Sequence, residues 1–499
     1  MASPPLFILE MANNHMGNVE HGLRVIRDFG AVVREFPYRF AFKLQYRELD
    51  SFVHPAYRNR TDLRYIKRFL DTRLDEADFR RLVDEMRTQG FMPICTAFDE
   101  ASVGRIENHG FESIKIASCS FTDWPLLERI AKSRLPIIAS TAGASLDDMD
   151  KVVSFFEHRG RPISLMHCVG EYPAAADHLN LNQIDLLTRR YPRLAVGFST
   201  HESPSDTTPI RLAIAKGATV FEKHVGVPTP EWPLNAYSAS PKQVRDWLVA
   251  AQEALSMCGP TEGRIVAGQK EADSLNELRR GVFARHPIMP GQAITDDDVF
   301  FAFPPMPGQV LANDWSKYSQ YQATHAIGPD AALTNENTSS RALRQQVWEA
   351  VHRVKMLLQD GHIVVPGKSD LEISHHYGME RFSEFGMTMI TVVNREYCKK
   401  LIIMLPGQTH PEQYHLKKEE TFIVLHGEVH ISLDGIERHG KPGDVIVVQR
   451  GVRHMFHTET GVVFEEISST HYRDDSYYTD PAILANTDRK TLLTYWMQT

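Results

Sequence analysis

The chain has 499 residues, 42% of them hydrophobic and 24% charged, with a formal net charge of −8. That length exceeds one ordinary core, and a prior of about one domain per 150 residues gives about three domains. The acidic balance and the lack of a long Lys/Arg run exclude nucleic acid as a main partner, whereas a small anionic substrate needs only a few local cations and stays allowed.

The opening MASPPLFILEMANNHMG has no basic segment, and its apolar run is too short for a secretory signal. No stretch approaches the roughly 18 apolar residues of a membrane span. The five cysteines, Cys95, Cys119, Cys168, Cys258 and Cys398, form no CxxC pair and are odd in number, which suits a reducing, cytoplasmic setting.

Along the first 260 residues or so one theme recurs: a short apolar run, a polar residue at its end, then a helix-like segment. The runs are LFILEMA, RFAFKLQY, FMPICTAF, SIKIAS, PIIASTA, ISLMHCV, AVGFSTH and TVFEKHV, and amphipathic stretches such as 76–90 and 240–259 separate or follow them. Eight strands alternating with helices predict an α/β fold of the (β/α)8 TIM-barrel kind over residues 1–262. An open doubly wound sheet would alternate similarly, but no GxGxxG marks its first turn. Residues 260–275 are polar and Gly-rich and read as a linker. Short strands and Pro-Gly turns predict a small β-rich domain over 276–334, and RALRQQVWEAVHRVKMLLQDG an amphipathic connecting helix within 335–361. Closely spaced short strands then predict an all-β domain over 362–499.

A barrel of this kind builds its site at the C-terminal strand ends. In order these carry Glu10, Lys43 with Gln45, Thr96, Lys115 with Ser118, Ser140 with Thr141, His167, Ser199 with His201, and Glu222 with His224. Any one of them reads equally well as an ordinary loop residue. Together they need a common ligand, an ion or one another, because an unpaired charge inside a closed barrel is costly. In TVFEKHVGV (219–227) strand alternation puts Glu222 and His224 on one face and Phe221, Lys223 and Val225 on the other. If the first pair points inward, His224 meets His201. Two imidazoles, with oxygens from Glu10 or water, suit Mn²⁺, Fe²⁺ or Zn²⁺. Lys43 and Lys115 would neutralise a phosphate or carboxylate, with Ser118, Ser140 and Ser199 adding hydrogen bonds.

The stretches FILEMANNHMGN, FKLQ, SIKIAS, PIIASTAG, MHCVGEYP, VGFSTH and FEKHV, in this order, resemble the sialic acid synthase family of phosphoenolpyruvate-dependent nonulosonate synthases. RRGVFARHPIMPGQAITDDDV resembles that family's antifreeze-like SAF domain. The resemblance implies an enzyme in which carbon 3 of phosphoenolpyruvate attacks a sugar aldehyde, water adds at carbon 2 and phosphate leaves. It further implies that His201 and His224 hold a divalent metal, Mn²⁺ by expectation, and that Glu10 orients the bound water or sugar hydroxyls. Lys43, Lys115, Ser118, Ser140 and Ser199 would hold phosphoenolpyruvate, and Gln45 and Tyr172 would face the sugar. It implies a domain-swapped homodimer as well. The departures cluster on the acceptor side: Ser120 and Gly170 stand where the family often has Glu and Asn, Asn235 where it has an acidic residue, and FAFPPMPG (301–308) lacks the arginine of its usual Arg-Pro-Gly turn.

HPEQYHLKKEETFIVLHG and PGDVIVVQRGVRHMFH resemble the cupin signature, which implies a second divalent-metal site at Gln413, His415, Glu420 and His454. His410 and His457 stand as substitutes. A cupin shell that only packs or dimerises remains the alternative to a metal-held sugar site that isomerises, epimerises or senses. For the whole chain, two other readings stay open: a class I aldolase with Lys115 or Lys43 as Schiff-base lysine, and a non-catalytic sugar-binding protein.

Overall fold

Runs such as Leu6–Glu10 and Val220–His224 are too short for stable helices, and they are buried on both faces, as strands covered on both sides must be. The computed structural model describes residues 4–260, 263–472 and 474–498. In it β1 (Leu6–Glu10), β2 (Arg39–Tyr46), β3 (Met92–Ala97), β4 (Ser113–Ile116), β5 (Ile137–Ser140), β6 (Ile163–Cys168), β7 (Val196–Thr200) and β8 (Val220–His224) form a closed barrel in chain order. All neighbours are parallel, and β1 closes the ring on β8 with Glu10 opposite His224. The expected (β/α)8 barrel, followed by the SAF and cupin folds, is the architecture found.

Strand parity sorts the side chains. Leu6, Ile8, Ala41, Ile94, Ile138, Met166 and Val220 fill the barrel floor. The alternate residues Phe7, Leu9, Phe42, Leu44 and Phe221 pack outward against the helices. Continued up the strands, the inward parity delivers Glu10, Lys43, Gln45, Thr96, Ser140, Glu222 and His224 to the C-terminal mouth. It also turns His167 outward, since Met166 takes the inner position of β6, and the His167 ring bonds to Leu179 O at 2.7 Å. His167 therefore drops out of the mouth.

The covering helices start on defined caps. Asn18 Oδ1 accepts from His21 N at 3.0 Å to open Val19–Val33, and a reciprocal Ser240/Gln243 capping box opens Pro241–Cys258. The latter buries Val244, Trp247 and Leu248, and the Trp247 ring meets Phe7 edge-on at 5.3 Å. Lys223, on the outer face, pairs with buried Glu202 at 2.7 Å and lies 5.6 Å above the Trp247 ring.

Residues 266–499 form a second unit. The stretch read as a linker contains an exposed helix, Gln269–Glu277; Thr261 and Glu262 lie outside the described residues. The small β domain keeps its own core around Val282, Ile288, Val299 and Leu333. Its sheet runs past residue 334, because Thr338–Ala342 pairs antiparallel with Ser319–Ala323. The helix Arg344–Asp360 buries Val347, Val351, Val354 and Leu358 in one cluster with Leu371, Ile373 and Ile403 of the following sheet, so it is part of the cupin core as well as a connection. A seven-stranded and a five-stranded antiparallel sheet complete the cupin. Among the described residues no helix is long and apolar enough to cross a membrane.

At Gly197 of β7 an added Cβ would stand 2.3 Å from Val220 O of β8 and 2.9 Å from Val220 Cβ. The strands would have to part, so Gly197→Ala is expected to destabilise the barrel by about 2 kcal/mol. Thermal denaturation followed by circular dichroism checks this, with Gly160→Ala, which meets open space but has φ +63°, as a strained but unclashing comparison.

Candidate active site

The four ionisable groups delivered to the barrel interior neutralise one another. Glu222 sits between two ammonium groups, with Oε1 at 3.0 Å from Lys43 Nζ and Oε2 at 2.7 Å from Lys115 Nζ. Lys43 Nζ also meets Glu10 Oε2 at 2.5 Å, and the other Glu10 oxygen accepts from Ala12 N. Ser199 donates to Glu222 Oε1 at 3.2 Å, while Lys115 has Met166 Sδ at 3.5 Å as its remaining neighbour. All four groups are buried, so each depends on the others to stay charged.

Burial pushes the Glu222 carboxyl pKa up, and the Lys115 and Lys43 charges more than offset this, holding it well below the carboxylate range. Burial lowers Lys43, but Glu10 and Glu222 outweigh it and the net shift is upward. Lys115 has one carboxylate rather than two, so burial wins and its pKa falls. Its 2.7 Å contact with Glu222 Oε2 opposes that fall.

Above this network His201 and His224 approach with ring centroids 5.3 Å apart. His201 Nδ1–H donates to Val169 O at 2.9 Å, which fixes the tautomer and leaves Nε2 with a free lone pair. Burial first, then neighbouring positive charge, pushes both imidazoles down to about 3, so both are neutral near pH 7. Tyr172 lies 4.2 Å from the His201 ring and Tyr237 5.2 Å from the His224 ring. Two neutral imidazoles with an anchored tautomer fit a borderline divalent ion whose other ligands come from water or substrate.

The remaining predicted residues are dispersed around the mouth. Gln45 Oε1 accepts from Arg47 Nη1 at 3.1 Å. Ser118 Oγ accepts from Ala142 N at 3.1 Å, Ser140 is buried, and Thr96 Oγ1 is buried with no partner. Tyr172 is 56% exposed and so reaches over the opening. Asn235 spends its Oδ1 on its own loop, accepting from Tyr237 N at 3.1 Å and Ser238 N at 2.9 Å, which leaves only its amide NH₂. Sequence reasoning missed Arg47 and Tyr237. Extending the inward parity of β2 one step past Gln45 finds Arg47; Tyr237 lies in an aperiodic loop that carries no such signal.

In the cupin, atoms of His415, Glu420 and His454 able to bind a metal lie within 4.8 Å of one another. His415 Nε2 is 3.5 Å from Glu420 Oε1, and His454 Nε2 is 3.4 Å from Glu420 Oε2. Each imidazole is anchored through Nδ1–H on a backbone carbonyl, His415 on Asp475 and His454 on Val452. Gln413 Nε2 stands 3.4 Å from His454 Nε2. His415 Nε2 and Glu420 Oε2 are buried and unpartnered, the state expected of atoms awaiting a ligand. Lys418 pairs with Glu420 and, at 3.0 Å, with Glu466. Of the two substitutes, His410 lines this lumen with both nitrogens unpartnered. His457 is occupied by Thr409 at 3.0 Å.

A closed (β/α)8 barrel with an ionised, histidine-capped mouth, joined to two β domains, has the layout of a barrel enzyme. Residues 41–262 match the model of the NeuB family, 279–335 that of the SAF domain and 400–465 that of the cupin domain. The chain belongs to the NeuB family. It is 55% identical to a spore coat polysaccharide biosynthesis protein E from Chromobacterium violaceum, whose crystal structure it matches with a TM-score of 0.66 over 67% of this chain and 99% of that one. It is 28% identical to an uncharacterised protein of Methanocaldococcus jannaschii over 60% of this chain and 84% of that protein. To the N,N'-diacetyllegionaminic acid synthase of Legionella pneumophila it is 27% identical, over 45% of this chain and 64% of that enzyme.

Glu222→Gln leaves two buried ammonium groups facing a neutral amide, and is expected to cost about 3 kcal/mol. A carboxyl held below its ordinary pKa stabilises the fold fully above that value of 4.5 and loses this stability as the pH falls toward the lowered one. Denaturant titrations between pH 3 and 7 should therefore show an acid-side loss in the wild type that is smaller in the variant.

Proposed function

We propose that the barrel condenses phosphoenolpyruvate with a sugar aldehyde to give a 2-keto-3-deoxy sugar acid and phosphate. The observation that carries this reading is the Glu10–Lys43–Glu222–Lys115 network beneath His201 and His224. Its two ammonium groups and two carboxylates sum to zero, so an anionic substrate needs further positive charge, which a divalent ion such as Mn²⁺ on the two imidazoles would provide. When bound, that ion would polarise the aldehyde and help orient it. Lys43 and Lys115, kept protonated by Glu222, would present their remaining N–H groups to the phosphate and carboxylate of phosphoenolpyruvate. Ser118, Ser140 and Ser199 would complete this cradle, and Gln45, Tyr172 and the Asn235 amide would face the sugar. Glu10, through Lys43, would set the cradle's orientation.

Carbon 3 then bonds to the aldehyde carbon, whose oxygen takes up a proton, water adds at carbon 2, and the carbon–oxygen bond to phosphate breaks. The resemblance to named nonulosonate synthases supports the substrate class, and a homodimer is proposed on the same ground. A phosphate-release screen with phosphoenolpyruvate, Mn²⁺ and a panel of hexose, hexosamine and diamino-sugar aldehydes tests it. His201→Ala and His224→Ala are each expected to lower kcat/KM by at least about 10²-fold; unchanged activity in both would remove the metal from the reading.

The lowered pKa of Lys115 favours a second reading, a Schiff-base aldolase. Borohydride with pyruvate should leave no adduct if the first reading holds, and an adduct on Lys115 if the second does.

For the cupin we propose a divalent-metal site on His415, Glu420 and His454, with Gln413 beside it, holding a hydroxylated ligand such as a sugar. Mn²⁺ titrated calorimetrically into the chelated full-length protein should show one class of binding lost in His454→Ala and another lost in His224→Ala. A His454→Ala profile identical to wild type would leave the cupin without a metal role.

A further inference from the structure

Lys43 and Gln45 occupy successive inward positions at the end of β2, and Arg47 follows just past the strand. Arg47 is held in an unusual state. Its guanidinium lies 3.5 Å from the Phe98 ring centroid and 4.4 Å from that of Phe69, Nη1 donates to Gln45 at 3.1 Å, and Nε is buried without an acceptor. Among the described residues no carboxylate lies within 4.0 Å of it, the limit for an ion pair. Its neighbours are already matched, Arg105 to Glu48 and Arg73 to Asp50 at 3.3 Å. Burial pushes Arg47 down to about 10, so it remains a cation at neutral pH.

Arg47 opens onto a cavity of about 450 Å³ whose charged lining sets Arg47, Arg73 and Arg105 beside Glu48, Asp75 and Glu76. Those carboxylates are engaged elsewhere, Glu48 by Arg105, Glu76 by Arg80 at 2.7 Å, and Asp75 as a helix cap accepting from Asp78 N at 2.8 Å. A guanidinium stripped of water and packed between rings is costly unless an anion completes it. The charge network below it is internally paired, and Glu10 and Asp99 act on Arg47 only from beyond 4.0 Å, so among the described residues Arg47 has no ion-pair partner. Its bond to Gln45, which faces the sugar in the reading above, places it on the sugar side rather than in the phosphoenolpyruvate cradle.

We infer that Arg47 determines acceptor specificity, selecting a sugar aldehyde that carries an anionic group, a phosphate ester or a carboxylate, remote from the aldehyde carbon. This rests on the condensation proposed above. The planar guanidinium, already oriented by Phe98 and Gln45, offers paired N–H groups to such an oxyanion.

The test is steady-state phosphate release by the full-length wild type, Arg47→Met and Arg47→Lys with three acceptors: a neutral N-acylhexosamine, its 6-phosphate and the corresponding 6-carboxylate. The expected result is a wild-type preference in kcat/KM of at least about 10-fold for one anionic acceptor, with the 6-phosphate and 6-carboxylate arms deciding which. Arg47→Met should abolish that preference, Arg47→Lys should restore part of it, and the KM for phosphoenolpyruvate should not move. A wild type that prefers the neutral acceptor overturns the inference. So does an Arg47→Met effect confined to phosphoenolpyruvate KM, or a uniform loss with a lowered Tm. If no acceptor releases phosphate, the condensation reading fails; calorimetric binding of the 6-phosphate and 6-carboxylate to wild type and Arg47→Met then decides the inference alone, with equal or absent binding to both proteins overturning it.

Discussion

The bridging of Lys43 and Lys115 by Glu222 is the constraint on which the rest of the barrel mouth depends. Its partners lie 179 and 107 residues away in sequence and on β2 and β4, neither of which neighbours β8, so only a closed barrel brings them into one space. None of the three groups tolerates burial alone, and together they tie β2, β4 and β8 with charge-assisted bonds at the level where side chains change from apolar to polar. That tie leaves His201 and His224, tilted 45° to each other, beside a set of fixed, cancelling charges.

The two metal-type sites use one device on unrelated scaffolds. In the barrel, His201 is anchored through Nδ1–H on Val169 O; in the cupin, His415 and His454 are anchored on the carbonyls of Asp475 and Val452. Each anchor sets the tautomer and aims Nε2 inward. The sites differ in how much protein ligand they supply. The cupin adds a carboxylate to its imidazoles, whereas the barrel's carboxylates are occupied by lysines, which leaves open positions for small molecules.

Most of the barrel was legible because each strand is short, apolar and closed by a polar residue, and because parity carries that polarity to one end. The same parity, applied strictly, removes His167 and adds Arg47. Tyr237 escaped because it sits in a loop whose shape is set by Asn235 accepting from the backbone N–H groups of Tyr237 and Ser238, which has no period to read. The linker reading of 260–275 followed composition, yet Gln269–Glu277 has the helix formers to coil locally with no buried face. Thr338–Ala342, just beyond the SAF match at 279–335, escaped because it is a polar strand held by pairing rather than by an apolar pattern.

The sequence by itself determined the number of strands, the residues at their ends, the face that Glu222 shares with His224, and the spacing of His415, Glu420 and His454. These follow from local rules of period two and from fixed short separations. Only the tertiary structure decided that the lysines are neutralised by protein carboxylates, that both barrel histidines are neutral with one tautomer fixed, and that Arg47 has no carboxylate within 4.0 Å among the described residues. Those are properties of distance and burial between distant segments, and burial sets the cost of every charge it encloses.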